Sequence, residues 1–271
     1  MNDPHVVALI YRINHGDKID YSKAERLERD EPEFHLTVED KNVRFEFKEH
    51  FTTEEQAREA IGNYIRMWEF DATLQFGIPD SFRLEFVEAE VIDRNPPNGI
   101  SMSATFGGFS ARLKLAKPPT IVRNYPPPPS DIALSPEAET MHQRYMGYRQ
   151  QREPLPAMAY FCLSMLENPP TAGSGTRRIG RKRKDAAERF GIDENVLDRI
   201  GEFSSTRGGM DARKREGTGR PLSSGERMFL DRAVKAIIRR VAEREHTRND
   251  NLPVLSLSEF PPLDDQEPVR A

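Results

Sequence analysis

The chain has 271 residues, 31% of them charged and 37% hydrophobic, with a formal net charge of -4. That length holds two ordinary domains with modest cores and a heavily solvated surface. No apolar run approaches the about 20 residues of a membrane span, and MNDPHVVALIYRI lacks the basic start and cleavage site of a secretory leader. A soluble, cytoplasmic protein without a membrane partner is therefore expected. Its single cysteine, Cys162, excludes an internal disulfide and a cysteine-built zinc site, and the surrounding AMAYFCLSML points to a buried, inert thiol.

Val6 to Ile13 is apolar and β-branched enough to open a sheet, and Asn14, His15 and Gly16 follow as a turn. Tyr21 to Glu33 is polar and carries no clear element. FHLTV and VRFEF, separated by EDKN, alternate as a hairpin, with Phe34, Leu36 and Val38 facing the same way and Val43, Phe45 and Phe47 lining the partner strand. TTEEQAREAIGNYIRMWEF predicts a helix with a threonine N-cap and an apolar stripe of Ala57, Ala60, Ile61, Tyr64, Ile65 and Trp68. SFRLEFVEAEVI returns to alternation through Phe82, Leu84 and Phe86, and ISMSATF and FSARLKL predict two further short strands. Residues 1–125 thus read as a strand-rich module, a mainly antiparallel sheet with one helix.

The four prolines Pro126 to Pro129 favour extended polyproline geometry, so residues 126–134 read as a semi-rigid proline-rich linker. Ser135 followed by Pro136 marks a helix start. Helices are predicted over about Pro136 to Gln150, Pro156 to Glu167, Lys182 to Phe190 and Asn195 to Phe203, with Pro169 to Thr176 as a loop. The longest, Ser223 to Arg244, has Phe229, Leu230, Ala233, Val234, Ile237, Ile238 and Val241 on one side. Residues 135–250 therefore form an all-α domain, and residues 251–271 an extended C-terminal arm whose LPVLSL and FPPL pieces pack on something. The fold class expected for the whole chain is α+β.

Residues 1–125 are net acidic and 126–250 net basic, so the second half is the better partner for phosphates. RRIGRKRK, residues 177 to 184, sets Arg181, Lys182, Arg183 and Lys184 at the start of a helix, where cations oppose the macrodipole and gain from an anion. DAAERFGIDENVLDRI has the layout of a helix-turn-helix, but its second helix offers Asp193, Glu194 and Asp198, which repel a phosphate backbone. In SSTRGGMDARKREGTGR, Gly208 and Gly209 free the backbone beside Arg207, with Arg213 and Lys214 within reach of the same anion. Equally open is a structural use of these cations, as caps of helix carbonyls or partners of carboxylates. No phosphate-loop, dinucleotide or nucleophile-elbow motif occurs. None of the six histidines pairs with another at ligand spacing, so neither metal nor cofactor is expected.

About residues 131 to 250 resemble the HEPN superfamily, helical nucleotide- and RNA-associated domains of bacterial defence and toxin systems. The resemblance is carried by PAMAYFCLSMLE as an early core helix, by AAERFGIDENVLDRIGEFSSTRGG running into a break, and by DARK ahead of SSGERMFLDRAVKAIIRRVAERE. It implies a HEPN-like bundle of an uncharacterised bacterial branch, which in turn implies a homodimer. Ribonuclease members carry an arginine, then four to six residues, then a histidine; none follows Arg207 in that window, where Arg213 and Lys214 stand instead. Arg240 and His246 have the spacing but lie at the end of the final helix. Three readings follow. One is a non-catalytic RNA- or nucleotide-phosphate-binding protein using Arg207, Arg213, Lys214 and Arg181 to Lys184, in a defence or stress system. Another is a metal-independent ribonuclease using Arg240 and His246. The third is a structural subunit that meets a protein partner through the N-terminal module or the C-terminal arm.

Overall fold

In the computed structural model, residues 3–95, 103–107, 121–168, 179–205, 221–247 and 252–261 are described, with backbone only at 103–107 and 179–181. They are α+β: an antiparallel sheet with one long helix, then five helices. The chain divides into two compact units, Met1–Pro129 and Ser130–Ala271.

The first unit is built on a six-stranded sheet in the order β3-β4-β5-β1-β6-β7. The strands are β1 (Pro4–Asn14), β3 (Leu27–Asp30), β4 (Phe34–Glu39), β5 (Asn42–Phe47), β6 (Arg83–Asp93) and β7 (Ser103–Gly107), and every neighbouring pair is antiparallel. The predicted hairpin has the expected register: Phe34 opposes Phe47, Leu36 opposes Phe45 and Val38 opposes Val43. All six of these side chains are buried.

A two-residue loop closes the hairpin, with φ of 49° at Asp40 and 66° at Lys41. Left-handed backbone at a lysine costs about 1 kcal/mol, and tertiary bonds hold it there: the Lys41 amide donates to Tyr125 Oη at 3.0 Å, and its carbonyl accepts from the Ile13 amide at 2.8 Å. The central strand β1 is bulged against β6 at Val6/Ala8 and Ile10/Tyr11. The polar stretch that gave no signal in sequence holds β3 at the sheet edge, and just before it β2 (Ile19–Asp20) pairs in parallel with β8 (Ile121–Val122). β3 is made by pairing with the next strand, β4, and β2 only by long-range pairing with β8. The predicted strand FSARLKL lies outside the described residues.

Helix α1 (Glu54–Phe76) starts where Thr53 Oγ1 accepts from the Gln56 amide at 3.3 Å and ends at Gly77 in left-handed conformation. It runs past the predicted end because Phe70 to Leu74 are also buried. Ala57, Ile61 and Trp68 are buried as expected, whereas Ala60 is exposed. Trp68 Nε1 donates to the Pro126 carbonyl at 2.9 Å, and Arg29 Nη1 donates to the Pro128 carbonyl at 2.6 Å. The proline run is thus bonded to the first unit. On its other side the chain is bonded to the second unit: Asp131 accepts from Arg239 Nη2 at 2.9 Å, and the Ala133 amide donates to the Ala242 carbonyl at 2.9 Å.

The second unit comprises α2 (Pro136–Arg149), α3 (Leu155–Glu167), α4 (Ile179–Phe190), α5 (Glu194–Ser205) and α6 (Ser224–Thr247). Ser135 Oγ caps α2, with Pro136 in its first turn. At α6, Ser223 Oγ accepts from the Glu226 amide at 3.2 Å while the Glu226 carboxylate accepts from the Ser223 amide at 2.7 Å, a reciprocal capping box. Helices α3 and α6 each touch all the others, and the whole predicted apolar side of α6 is buried. Cys162 lies in this core, where burial pushes its thiol up and out of reach of ionisation. The arm is not free among residues 252–261. Leu255 makes a parallel bridge with Ile192, and Phe260 packs edge-on against Phe229. Leu255 and Phe260 are thereby buried in their own unit, whereas Val254 is exposed.

Candidate functional site

The predicted basic residues divide by partner. Arg183 sits between two helices: Nε meets Glu167 Oε1 on α3 and Nη1 meets Asp198 Oδ1 on α5, both at 2.8 Å. Its guanidinium also lies against Gly201, where a side chain would collide with it. This arginine holds the bundle together and is 20% exposed. Lys182 Nζ is bonded to Asn168 Oδ1 at 2.6 Å. Among the described residues Lys184 has only Glu188 at 3.9 Å, with 65% of its side chain exposed. Arg181 belongs to the first turn of α4, and its side chain is outside the described residues. So are Arg207, Arg213 and Lys214, which lie within 206–220.

Arg240 and His246 have different surroundings. Arg240 is 7% exposed, and its Nη1 donates to the carbonyls of Gly191, at 3.2 Å, and Pro253. Its Nε meets Glu243 Oε2 at 2.9 Å. The guanidinium latches the arm to the α4–α5 turn, the kind of carbonyl-binding use that an arginine near a helix end can have. His246 is exposed in the last turn of α6. The helix-turn-helix layout is realised locally as α4, a turn at Gly191 with φ 58°, and α5. Asp198, on α5, is bonded to Arg183.

A cavity that the sequence did not reveal lies where α2 ends, α3 begins and α6 begins. It has a volume of about 370 Å³ and is lined by Tyr148, Gln151, Arg152, Glu153, Pro154, Leu155, Pro156, Leu222 and Arg227. Gln151 turns the chain here with φ 62°. Helix α3 starts from Pro154, which supplies no side-chain cap; of its first residues Leu155 and Ala157 carry amide hydrogens, whereas Pro154 and Pro156 have none.

The carboxylates around this cavity are neutralised. Glu153 pairs with Arg144 at 2.8 Å, and that guanidinium also lies 4.6 Å from the Phe161 ring centre. Asp231 accepts from Tyr145 Oη at 3.0 Å and Arg149 Nη1 at 3.4 Å. Arg152 and Arg227 are exposed and have no carboxylate partner among the described residues; Arg227 Nε is within 3.3 Å of the Leu222 carbonyl. Burial, and then the charge of Asp231, raises the Tyr148 phenol above its ordinary value, so it remains a neutral hydrogen-bond donor with a ring able to stack. Two arginines and an aromatic ring thus line the cavity beside the start of α3. Leu222 follows closely after the segment carrying Arg207, Arg213 and Lys214. The one sequence signal was QREP, an arginine at a helix end before a proline.

The first unit has a cavity of opposite character, about 840 Å³, lined by Tyr11, Glu54, Glu55, Arg58, Glu59, Gly62 and Ile65. Its charged groups are mainly carboxylates, with Arg58 bonded to Glu54 at 3.2 Å and lying 4.6 Å from the centre of the Phe86 ring. Among the described residues no three His, Cys, Asp or Glu side chains gather as metal ligands, and no helix is long and apolar enough to cross a membrane. Comparison with family models, curated proteins and solved structures finds no match. The fold and cavity therefore define this molecule only as an α+β protein of two units with a basic cleft in its helical half.

Proposed function

We propose that the helical unit is a non-catalytic, HEPN-like module that binds RNA or a nucleotide through its phosphates, in a bacterial defence or stress setting. One observation carries the reading: among the described residues, Arg152 and Arg227 stand without carboxylate partners at a cavity beside which Glu153 and Asp231 are already paired. Arg207, Arg213, Lys214 and Lys184 extend the same chemistry along the chain, while Lys182 and Arg183 support it by fixing α4 to α3. The acidic first unit, in this reading, recruits a protein partner, and the helical unit pairs with a second copy. A ribonuclease built on Arg240 and His246 has less support, because the arginine is buried and already bonded to backbone carbonyls.

Binding of a short single-stranded RNA, followed by fluorescence anisotropy over a salt series, tests the reading. Affinity should fall steeply with salt, and the double variants Arg152→Ala with Arg227→Ala and Arg207→Ala with Arg213→Ala should each flatten the log–log slope by about one to two. Binding that is indifferent to salt, or equal in all proteins, would sink it.

A further inference from the structure

We infer, resting on the role of the first unit as the recruiting half, that the groove along α1 docks a basic segment of a partner protein whose backbone crosses the helix at Gly62. The wall of this groove of about 840 Å³ is α1, and its floor begins at Tyr11 on β1. Phe86, which opposes Tyr11 in register and meets its ring edge-on at 5.5 Å, adjoins the floor from β6.

Gly62 sits in the interior of α1, where glycine is a poor choice: alanine at the same place would raise the folding equilibrium about fivefold. Nothing in its own fold requires it. Its backbone is not among the left-handed positions, and a Cβ there would meet no other part of the chain within 4 Å among the described residues. Gly201 differs, because Arg183 lies against it and leaves no space for a side chain. At Gly62 the missing side chain leaves a notch in the groove wall, through which a second backbone can approach the helix closely.

The chemistry around the notch selects the occupant. Glu59 and Glu55 lie about one and two turns before Gly62 on the same side of α1, exposed and without a cationic partner among the described residues. The chain itself shows how a cation sits here. Arg58 lies 4.6 Å from the centre of the Phe86 ring while its Nη1 donates to Glu54 Oε1 at 3.2 Å. Glu54 is thereby satisfied, which leaves Glu55 and Glu59 to receive the cations of the partner. Half-buried Ile65, about one turn after Gly62, offers apolar surface to a side chain between those cations. Arg66, on the far side of the notch, is held by Asn63 Oδ1 at 3.4 Å, so the acidic end is the one nearer the start of the helix. A nucleic acid laid here would meet two unpaired carboxylates and be repelled.

Fluorescence anisotropy of a fluorescein-labelled peptide of alternating arginine and leucine, titrated with the whole chain, tests the docking, with a glutamate–leucine peptide of the same length as control. The basic peptide should bind and the acidic one should not. Gly62→Leu changes no charge and fills only the notch, so it should raise the folding equilibrium about fourfold while weakening the basic peptide about tenfold. Glu55→Lys with Glu59→Lys should weaken it by a similar factor and remove most of its salt dependence. Equal binding by wild type and both variants overturns the groove but leaves recruitment through another face of the first unit standing; a basic peptide that binds none of them overturns both. A chain that self-associates and becomes monomeric with Gly62→Leu would give the groove to a second copy, and that too overturns the partner named here.

Discussion

Replacing Arg240 with methionine isolates the role the structure assigns to it. Methionine fills most of the space, so the loss is polar and not a cavity. Pro253 loses its charged donor, and Gly191 keeps, among the described residues, the Leu255 amide at 2.9 Å. Glu243 is not stranded, because Arg239 Nε remains 3.1 Å from its Oε1. A charged hydrogen bond contributes about 1.5–3 kcal/mol and an orphaned buried acceptor costs about 1–3 kcal/mol, so the overlap of the two predicts a loss of about 3 kcal/mol. The arm should loosen first, seen as faster exchange of the Leu255 and Asp193 amides, which bond across the arm and the α4–α5 turn. Urea unfolding followed by helix circular dichroism measures the global loss; Trp68, in the first unit, serves as an internal control by fluorescence. Unchanged Leu255 exchange together with a stability within about 0.5 kcal/mol of wild type would refute the latch. His246→Ala, at an exposed position, should leave stability unaltered.

Gly201→Ala would place a methyl 2.9 Å from Arg183 Nη2, and the guanidinium cannot swing away without giving up Glu167 or Asp198. A loss of about 1–2 kcal/mol is expected, and in the double variant with Arg183→Ala the alanine at 201 should cost much less, measured as a double-mutant cycle. Burial holds His142 at about 4, below its ordinary 6.5, so its contribution is present above 6.5 and lost as pH falls toward 4. The helical unit should therefore weaken by up to about 3 kcal/mol across that window; in His142→Leu the decline with pH should be correspondingly shallower, and an identical slope would exclude this residue as its source.

Much of the architecture was legible because local rules and burial agree. Alternation placed β4 and β5 in register, Thr53 and Ser135 announced their helices, and the 3.6-residue stripe of α6 is buried throughout. The reading weakened where a strand is short and polar or where its pairing is non-local. Edge strand β3 is short and polar, and the two-residue β2 exists only because β8 returns beside it from about a hundred positions away. The candidate site was half legible. Basic runs are visible as letters, but nothing in the letters distinguishes Arg183, clamped between two carboxylates, from Lys184, which is nearly unpaired. Arg227 gave no signal and Arg152 only the QREP pattern, because what sets them apart is the pairing of Glu153 and Asp231 with other residues.

Composition and periodicity by themselves determined the class, the α+β division and the sign of charge in each half, since these depend on burial patterns and counts that survive any detail of packing. Tertiary structure alone decided which charges are free. It bonded the proline run to Trp68 and Arg29 and buried Arg240 under the arm, because ion pairs and hydrogen bonds depend on angstrom distances between residues remote in the chain.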